Sequence, residues 1–343
     1  MKEIKLALVG FGNVGKALVH LLENKRASLN RDFYINTTVV AIATGRHGIA
    51  LDPSGINIEK AIVLCESGRS LDELSSSPRP DTVMDLIQTC GADILFENSP
   101  VNHHSGQPAI DHVKAALQAG MHVITANKGP VAHACHELTR LAQKMGRRFL
   151  FESSVMDGAP IFSLFRGSLP AVELRGFFGI LNSCTNLLIE LMEQGRDFED
   201  AVDYAQSIGI AETDPSADVD GWDAAIKVCV LCNVLLGASI TPDQVDRTGI
   251  HTLTPQSIRA ALQDGERWKL VCSAHRTPDG LQTKVEPTRV KADSPLYSVG
   301  GTSSFVQFEL DTLPGLGILE NNPGPQTTAY GLLADLINVY RGV

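Results

Sequence analysis

Two lysines stand where a charged side chain is unusual, and the first is Lys128. It follows the short apolar strand His122–Thr125 in the stretch TANKGPVA. If that strand belongs to an open parallel sheet, Lys128 lies at the edge where such sheets bind their ligands. Lys128 is then either a solvated loop charge or a group that acts on a substrate, and its position favours the second interpretation.

The second is Lys227, four residues after Asp223, so that the two residues share a helical face. Lys227 is the only charged residue between Asp223 and Thr241, in a segment that is otherwise almost wholly apolar. The alternative is a surface ion pair, which is worth little. A helix this apolar is buried, however, and a lysine on it needs a carboxylate partner or a polar cleft. The pattern favours a crevice-facing Lys227 oriented by Asp223.

A glycine-rich turn, GFGNVG, lies between the apolar run Ile4–Val9 and a helical pattern with Leu18, Leu21 and Leu22. In such a turn the first glycine permits the tight bend, the second lets the backbone approach a pyrophosphate, and the third lets helix and strand pack closely. A purely structural turn is the alternative, but the strand and helix on either side are the context of a dinucleotide site. The predicted cofactor-binding residues are Gly10, Gly12, Asn13, Val14 and Gly15.

The end of the second predicted strand, Thr38–Ala43, selects the dinucleotide. An acidic residue there would bind the ribose 2′-hydroxyl of NAD and repel a 2′-phosphate. The chain instead reads AIATGRHG, and Thr44 and Arg46 are able to bind a phosphate. We therefore expect NADP, with NAD possible and a merely solvated Arg46 as the alternative. Asn98, where the third apolar run ends in ENSP, and Lys128 are expected to contact the cofactor too.

The order of elements predicts an α/β fold. Strands and helices alternate up to Glu152, which is typical of a Rossmann-type, doubly wound parallel sheet, with irregular excursions in the turn-rich residues 45–80. Beyond Glu152 the pattern becomes that of an α+β catalytic domain with antiparallel strands at KLVCSAH, KVEPTRV and SFVQFEL. The predicted domains are 1–152 for the dinucleotide, 153–320 for substrate and dimerisation, and 321–343 as a C-terminal helix returning to the nucleotide domain.

Composition limits the partners. The chain has 343 residues, a net charge of −10 and no Lys/Arg-rich run, which argues against nucleic acid or an anionic membrane as partner. No apolar run approaches the roughly 20 residues that span a bilayer. No secretory signal precedes the first strand, and the seven cysteines are scattered, so a reduced, cytoplasmic protein is expected. Cys229-x-x-Cys232 lacks a second cysteine pair and is interpreted as core packing.

With these motifs in hand, the chain resembles the homoserine dehydrogenase family over nearly its whole length. The amino-terminal part carries the glycine turn and TANKGPVA, and residues 179–186, GILNSCTN, are similar to the family's G-I-x-N-x-T-x-N. Residues 212–227, ETDPSADVDGWDAAIK, match the family's E-x-D-P-x-x-D-x-x-G-x-D-x-x-x-K. This long spaced pattern is far more specific than the glycine turn.

The resemblance implies an enzyme that reduces L-aspartate 4-semialdehyde to L-homoserine with NAD(P)H, in threonine and methionine biosynthesis. It implies that Lys128 and Lys227 are catalytic, with Asp223 as the partner of Lys227. The family's substrate-binding acids correspond to Glu212 and Asp218. Since the substrate also has a carboxylate, we expect backbone N–H groups after Asn182, at a helix start, to bind it.

The resemblance further implies a monovalent cation such as Na⁺ near the domain hinge. The matching stretch is ESSVMDGAP, residues 152–160, where Glu152, Val155 and Asp157 are the candidate ligands. A small-molecule substrate, a homodimer and a short form without the regulatory extension are expected as well. Two alternatives stay open: another NADP-linked oxidoreductase acting on an amino-acid derivative, and a non-catalytic NADP-binding sensor.

Overall fold

The computed structural model describes residues 1–76 and 78–342, which form two compact units. The first comprises Met1–Gly167 and Gly324–Val343, and the second comprises Ser168–Pro323. The predicted excursion at 45–80 includes residue 77 and the predicted C-terminal segment includes residue 343, and both of these residues lie outside the described ones. The functional domain boundaries predicted from the sequence stay a prediction.

A mainly parallel sheet forms the centre of the first unit. Among the described residues its strand order is β3-β2-β1-β4-β5-β6, and every neighbouring pair is parallel except β2 and β3. This confirms the predicted Rossmann-type sheet. The antiparallel β3 arises because the chain turns back through Gly48, whose φ of 78° suits a tight reversal. The strands are β1 (Lys2–Val9), β2 (Ile35–Ala43), β3 (Ile49–Leu51), β4 (Ile94–Glu97), β5 (His122–Thr125) and β6 (Phe149–Leu150).

Helices flank this sheet and bury their apolar faces. In the longest of the helices that precede the second unit, Leu18, Leu22 and Leu29 are buried, at a spacing that keeps them on one side. The helix ends at Tyr34, whose left-handed backbone lets its N–H bond the carbonyl of Leu29. The helices are α1 (Asn13–Phe33), α2 (Ile58–Glu66), α3 (Val83–Thr89), α4 (Ala109–Gln118), α5 (Lys128–Lys144), α6 (Ile161–Gly167) and, after the second unit, α12 (Pro325–Arg341).

The last helix completes the core of the first unit. Leu332 and Leu336 of α12 are fully buried in the same apolar cluster as Leu18 of α1 and Leu6 of β1. Burying a leucine side chain contributes roughly 1.5–3 kcal/mol. Because several α12 side chains enter the cluster, the helix is an integral part of this unit and not an appendage.

The second unit is built on a mostly antiparallel sheet, of order β12-β11-β7-β9-β10-β8 among the described residues. The three strands expected from KLVCSAH, KVEPTRV and SFVQFEL are present as β9, β10 and β11, which confirms the predicted α+β character. The strands are β7 (Leu174–Ile180), β8 (Asp246–Arg247), β9 (Arg267–Thr277), β10 (Gly280–Val290), β11 (Ser304–Leu310) and β12 (Leu316–Glu320).

Helices on this sheet include the apolar one predicted to carry Lys227. Nine residues of that helix, α10, are buried, and they include Cys229 and Cys232. The thiol of Cys229 donates to the carbonyl of Ile240 at 3.0 Å, in keeping with core packing. The helices are α7 (Ser183–Glu193), α8 (Phe198–Ser207), α9 (Ser216–Val219), α10 (Trp222–Leu235) and α11 (Pro255–Gln263).

Two glycines of the first turn should respond differently to a methyl group. A Cβ on Gly10 would lie 2.2 Å from the carbonyl oxygen of Asn98, at a φ of 95° that side chains rarely adopt. Strain of this kind costs about 1–3 kcal/mol, so Gly10→Ala should lower the melting temperature clearly. Around Gly12 the Cβ position has no described heavy atom within 4 Å. Gly12→Ala should therefore have the melting temperature of the unmodified protein in a circular-dichroism scan. An equal decrease in melting temperature for both variants would contradict the expected difference between the two positions.

Candidate active site

The turn between β1 and α1 leaves an open cradle at the carboxyl edge of the first sheet. A Cβ on Gly15 would lie 2.8 Å from the carbonyl oxygen of Gly10, so helix and strand approach closely here. The space at Gly12, by contrast, is open. The N–H groups of residues 13–15 begin α1 and have no carbonyl within the helix to bond, which suits an anionic phosphate.

The loop after β2 carries the residues predicted to bind a 2′-phosphate. The Thr44 hydroxyl accepts the N–H of His47 at 2.7 Å and donates to the carbonyl of Gly48 at 3.3 Å. Thr44 therefore shapes the loop through its side chain. Arg46 is exposed at the loop surface, where its guanidinium is accessible to a phosphate.

A carboxylate that the sequence reasoning missed lies against the same loop. Asp72 Oδ1 accepts the N–H of Ile49 at 3.2 Å, and Oδ2 pairs with Arg79. Burial opposes ionisation of Asp72, but the bonds from Ile49 and Ser70 and the charge of Arg79 outweigh it, so its pKa lies below the ordinary value. Because Asp72 comes 29 positions after the last residue of β2, in a turn-rich segment, no local pattern signals its approach.

The next strands end beside the glycine turn. The N–H of Asn98, directly after β4, donates to the carbonyl of Val9 at 2.7 Å. The side-chain oxygen and nitrogen of Asn98 are buried and have no hydrogen-bond partner in the described part of the chain. Lys128 begins α5, directly after its capping residue Asn127. Since β1, β4 and β5 are neighbours, the glycine turn, Asn98 and Lys128 share one edge of the sheet.

These features of the first unit fit a dinucleotide. Open space at Gly12 and the start of α1 suit the pyrophosphate. The buried amide of Asn98 offers both a donor and an acceptor that need partners, as a ribose or carboxamide group could supply. The residues present therefore suit the nicotinamide cofactor that the sequence predicts.

Glu152, a predicted cation ligand, acts in the structure as a helix cap. Its Oε1 accepts the N–H of Phe162 at 2.6 Å, and its Oε2 accepts the N–H of Ser163 at 2.8 Å. Arg166 lies 3.4 Å from Oε2. Burial raises the pKa of Glu152 above its ordinary value, against the opposing effect of these partners. A cation at Glu152 would have to share oxygens that already accept hydrogen bonds.

The other two predicted cation ligands follow in the same turn. Asp157 has a φ of 36°, unusual for a residue other than glycine, and its Oδ2 accepts the hydroxyl of Thr327 at 2.9 Å. Val155 is buried. Among the described residues, no group of three or more His, Cys, Asp and Glu side chains could hold a metal ion.

In the second unit, Asn182 joins two acids. It follows β7 and caps α7, with its Oδ1 accepting the N–H of Thr185 at 2.7 Å. Its Nδ2 donates to Asp218 Oδ1 at 2.6 Å and to Asp223 Oδ2 at 2.9 Å. Three residues from distant parts of the sequence thus meet at the start of α7. We call Asn182, Asp218, Asp223 and Lys227 the acid–lysine cluster.

Lys227 completes this cluster. Its Nζ lies 2.9 Å from Asp223 Oδ2 and donates to the carbonyl of Leu181 at 2.6 Å. At least two of its three protons therefore have protein acceptors. The side chains of Lys227 and Asp223 are each 14% exposed, so the ammonium is largely shielded from water yet still reachable by a small molecule. The contact with Asp223 is the one that the i, i+4 spacing predicts, and the crevice-facing role of Lys227 stays a prediction.

Asp218 is an acid of the cluster whose pKa is shifted by its surroundings. Burial raises its pKa above the ordinary value and the nearby charge of Asp223 adds to this, while Asn182, Lys227 and Cys184 act in the opposite direction. Burial and Asp218 likewise raise the pKa of the Cys184 thiol. A carboxylate in this state would gain from a cation placed against it. Cys184 and the carbonyl of Leu181 are site groups that the sequence reasoning missed.

Glu212, the other predicted substrate acid, is exposed in the loop between α8 and α9. Its backbone carbonyl accepts the side-chain amide of Gln206 at 3.0 Å. The structure thus brings Asn182, Asp218, Asp223 and Lys227 together and leaves the Glu212 side chain at the surface. Within the described part of the chain, every helix is too short or too polar to cross a membrane.

Family models match both parts of the chain. The model described as "Homoserine dehydrogenase, NAD binding domain" matches residues 10–152, and the "Homoserine dehydrogenase" model matches residues 160–337. The first of these covers the glycine turn, Asn98 and Lys128, and the second covers the acid–lysine cluster.

Individual relatives match over nearly their whole length. An "NAD(+)-dependent homoserine dehydrogenase" of Pseudomonas canavaninivorans is 35% identical, with 99% of this chain and 97% of the relative covered. A homoserine dehydrogenase of Methanocaldococcus jannaschii is 36% identical, with 98% of each chain covered.

Among solved structures, a hyperthermophilic archaeal homoserine dehydrogenase in complex with NADPH is 26% identical, with a TM-score of 0.84 over 100% of this chain and 99% of that one. These findings support homoserine dehydrogenase over the two alternatives, another NADP-linked oxidoreductase and a non-catalytic NADP-binding sensor. The chain belongs to the homoserine dehydrogenase family.

Proposed function

We propose that the chain interconverts L-aspartate 4-semialdehyde and L-homoserine with an NADP cofactor, and that Lys227 is the group that gives and takes the proton. The observation that carries this is the acid–lysine cluster, in which a shielded ammonium is held by Asp223 and by a backbone carbonyl. Reduction of an aldehyde needs a proton for the developing alkoxide, while the cofactor supplies the hydride. An oriented lysine meets that need.

Asp223 orients Lys227 in this proposal. The i, i+4 spacing fixes the pair on α10, and Asn182 donates to the same carboxylate oxygen of Asp223, Oδ2, that contacts Lys227. Lys128, at the carboxyl edge of the first sheet, helps to bind and polarise the substrate carbonyl. These roles follow from position and chemistry, and they are separable by mutation.

The substrate's two other charged groups find complementary groups in the second unit. Its ammonium suits Asp218, because a cation there would offset the burial that opposes ionisation. Its carboxylate suits the N–H groups at the start of α7, directly after Asn182. Glu212 is proposed as a second contact for the ammonium, and this requires its exposed loop to turn its carboxylate towards the substrate.

Removing the proton donor should affect turnover more than cofactor binding. Lys227→Ala should lower kcat by roughly 10²–10⁴, the usual range for a general acid. Asp223→Asn should lower kcat as well, and the double variant should lose less than the product of the two effects because the residues act as a unit. Steady-state kinetics with homoserine, at the 340 nm absorbance of the reduced cofactor, measures this.

Melting temperature and NADPH affinity serve as the controls for that experiment. A variant at Lys227 that is folded, binds NADPH normally and turns over at the unmodified rate would show that Lys227 is only a structural partner of Asp223.

The ionisation of Asp218 should appear in the pH dependence of substrate binding. Its pKa is raised in the free enzyme, so the carboxylate gains a proton at a higher pH than an ordinary aspartate. As pH falls through that raised pKa, the KM for homoserine should rise because the ammonium loses its counter-charge. Asp218→Asn should have a high KM that no longer changes over this pH range. Identical pH profiles for the two proteins would exclude Asp218 as the ammonium site.

NADP is the proposed dinucleotide, since Arg46 is exposed at the end of β2, in a loop without an acid of its own. Two of the relatives described above point to different dinucleotides: the Pseudomonas relative is named for NAD(+), and the archaeal structure holds NADPH. In this chain Asp72 approaches the loop but is paired with Arg79. Its negative charge is therefore partly compensated before a 2′-phosphate arrives.

Substitutions that add or remove negative charge at the loop after β2 should change the preference for NADP over NAD in opposite directions. Arg46→Asp should reduce the ratio of kcat/KM for NADP to that for NAD, and Asp72→Asn should raise it, because the first adds and the second removes negative charge near the 2′ position. Gly12→Ala, which is expected to fold normally, should weaken binding of both dinucleotides equally. Tighter binding of NAD than NADP by the unmodified protein would contradict the proposal.

A monovalent cation at Glu152, Val155 and Asp157 is part of the proposal, although Glu152 already accepts two backbone N–H groups. Activity in sodium compared with choline buffers at equal ionic strength would test it.

We also propose a homodimer, in a reducing cytoplasm. On the second sheet Leu319 is 53% exposed, whereas Phe178 and Phe305 are half-buried against the apolar cluster of Ile180, Val290, Leu296 and Val299. The exposed Leu319 is available for an interface. All seven cysteines are free thiols, as a reducing compartment allows. Sedimentation equilibrium would decide between monomer and dimer, and cell fractionation would check the compartment.

A further inference from the structure

A carboxylate with no role in the proposed mechanism is buried at the end of β4. Glu97 has an exposed fraction of zero. Its Oε1 accepts the Ser99 hydroxyl and lies 3.4 Å from Nδ1 of His112. Among residues 1–76 and 78–342, His112 is the one ionisable side chain within ion-pair distance, and Oε2 has no hydrogen-bond partner. Burying a carboxylate with so few partners costs free energy of folding. We therefore ask which residues Glu97 holds in place.

Glu97 is connected to Asn127 by two routes. Through its side chain it holds Ser99, whose carbonyl accepts Asn127 Nδ2 at 3.0 Å. Through its backbone carbonyl it accepts the hydroxyl of Thr125 at 2.6 Å, and that hydroxyl accepts the N–H of Asn127 at 2.9 Å. We call Glu97, Ser99, Thr125 and Asn127 the Glu97 relay. Its hydrogen bonds connect the end of β4 to the end of β5, at the sheet edge that also carries Asn98 and Lys128.

The relay ends at Asn127, directly before the first residue of α5. Asn127 is the N-cap of this helix, with its Oδ1 accepting the N–H of Gly129 at 2.9 Å. Lys128 follows directly, so the bonds that hold Asn127 also hold the backbone from which the Lys128 side chain leaves the helix start. An Asn127 held only by its cap bond would have more freedom than one also bonded through its N–H and its Nδ2.

We propose that Glu97 is a positioning residue, which holds Asn127 through Ser99 and Thr125 and thereby fixes Lys128 for the reaction. This inference rests on the proposed role of Lys128. Glu97 itself touches neither substrate nor cofactor in this proposal. Its contribution is to keep the Lys128 ammonium at the position where it polarises the carbonyl, and a displacement of about 1 Å in a catalytic group can cost on the order of 100-fold in rate.

Three substitutions test the relay step by step. Ser99→Ala removes the link from the Glu97 side chain, and Thr125→Val removes the link from the backbone. Each should lower kcat by about 10-fold, a fraction of the loss that a full displacement causes, with the KM for NADPH unchanged. Glu97→Gln keeps an acceptor for the Ser99 hydroxyl and should retain most of the activity, whereas Glu97→Leu should lose it as Ser99→Ala does.

Glu137→Gln is the matched control. Glu137 lies on α5 and pairs with Lys114 of α4 at 2.8 Å, but its side chain is 60% exposed. The same change of a carboxylate to an amide, between helices of the same unit, should leave kcat unchanged. If Glu137→Gln lowered kcat as much as Ser99→Ala does, the effect would be a general destabilisation of the unit, and the proposal would be overturned.

A double-mutant cycle with Lys128→Ala separates positioning from stability. If the relay acts through Lys128, Ser99→Ala should cost nothing further in kcat once Lys128 is alanine. Losses that multiply, with Lys128→Ala itself clearly impaired, would overturn the positioning proposal alone. A Lys128→Ala protein with unmodified kcat would overturn the proposed role of Lys128, and the positioning proposal with it.

Discussion

One amide holds two partly buried carboxylates side by side, and the geometry of the acid–lysine cluster depends on it. Asn182 Nδ2 donates to both Asp218 and Asp223, while its Oδ1 is occupied by the first turn of α7. Because the cap fixes the orientation of the amide, the donor cannot turn away from the acids. Two acids this close repel, and the repulsion is part of what raises the pKa of Asp218. Lys227, whose ammonium lies 2.9 Å from Asp223, opposes this effect on the pKa of Asp218.

The two units present different kinds of group. The first offers backbone groups and open space, at a glycine turn and the start of α1, with few charges around the loop after β2. The second offers side-chain charges arranged around α7 and α10. An amino acid with an aldehyde side chain carries two opposite charges close together, and a cluster of acids beside a helix start is complementary to both.

Features that depend on local geometry were predictable from the sequence. The spacing of Asp223 and Lys227 was enough to place their charged groups in contact, because neighbours four apart on a helix share a face. The parallel sheet was predictable from the alternation of strands and helices after the glycine turn, because a helix that connects two strands allows them to run parallel. The hairpin at β3 and the short helices α2, α3 and α6 were not assigned, because turn-rich segments carry no clear period.

Contacts between segments that are distant along the chain could not be predicted from the sequence. Asn182 was expected to mark a helix start, but nothing in its neighbourhood reveals that its amide reaches an acid 36 positions away. Asp72 meets the loop after β2 only because the excursion folds back on it. Glu152 shows the opposite case: a family pattern indicated a cation ligand, whereas the local chain uses its carboxylate to cap α6. Which use of the carboxylate prevails with sodium present depends on the strength of those two N–H bonds.

The position of α12 has a consequence for how the chain acquires its structure. The core of the first unit draws on β1 and α1 at one end of the sequence and on Leu332 and Leu336 at the other. During synthesis, β1 emerges from the ribosome long before α12. Until α12 is made, the apolar surface of Leu6 and Leu18 that α12 covers in the folded unit therefore stays exposed to solvent. Residues 168–323 are continuous and need no such delay. The acid–lysine cluster can thus assemble while the first unit still lacks its last helix.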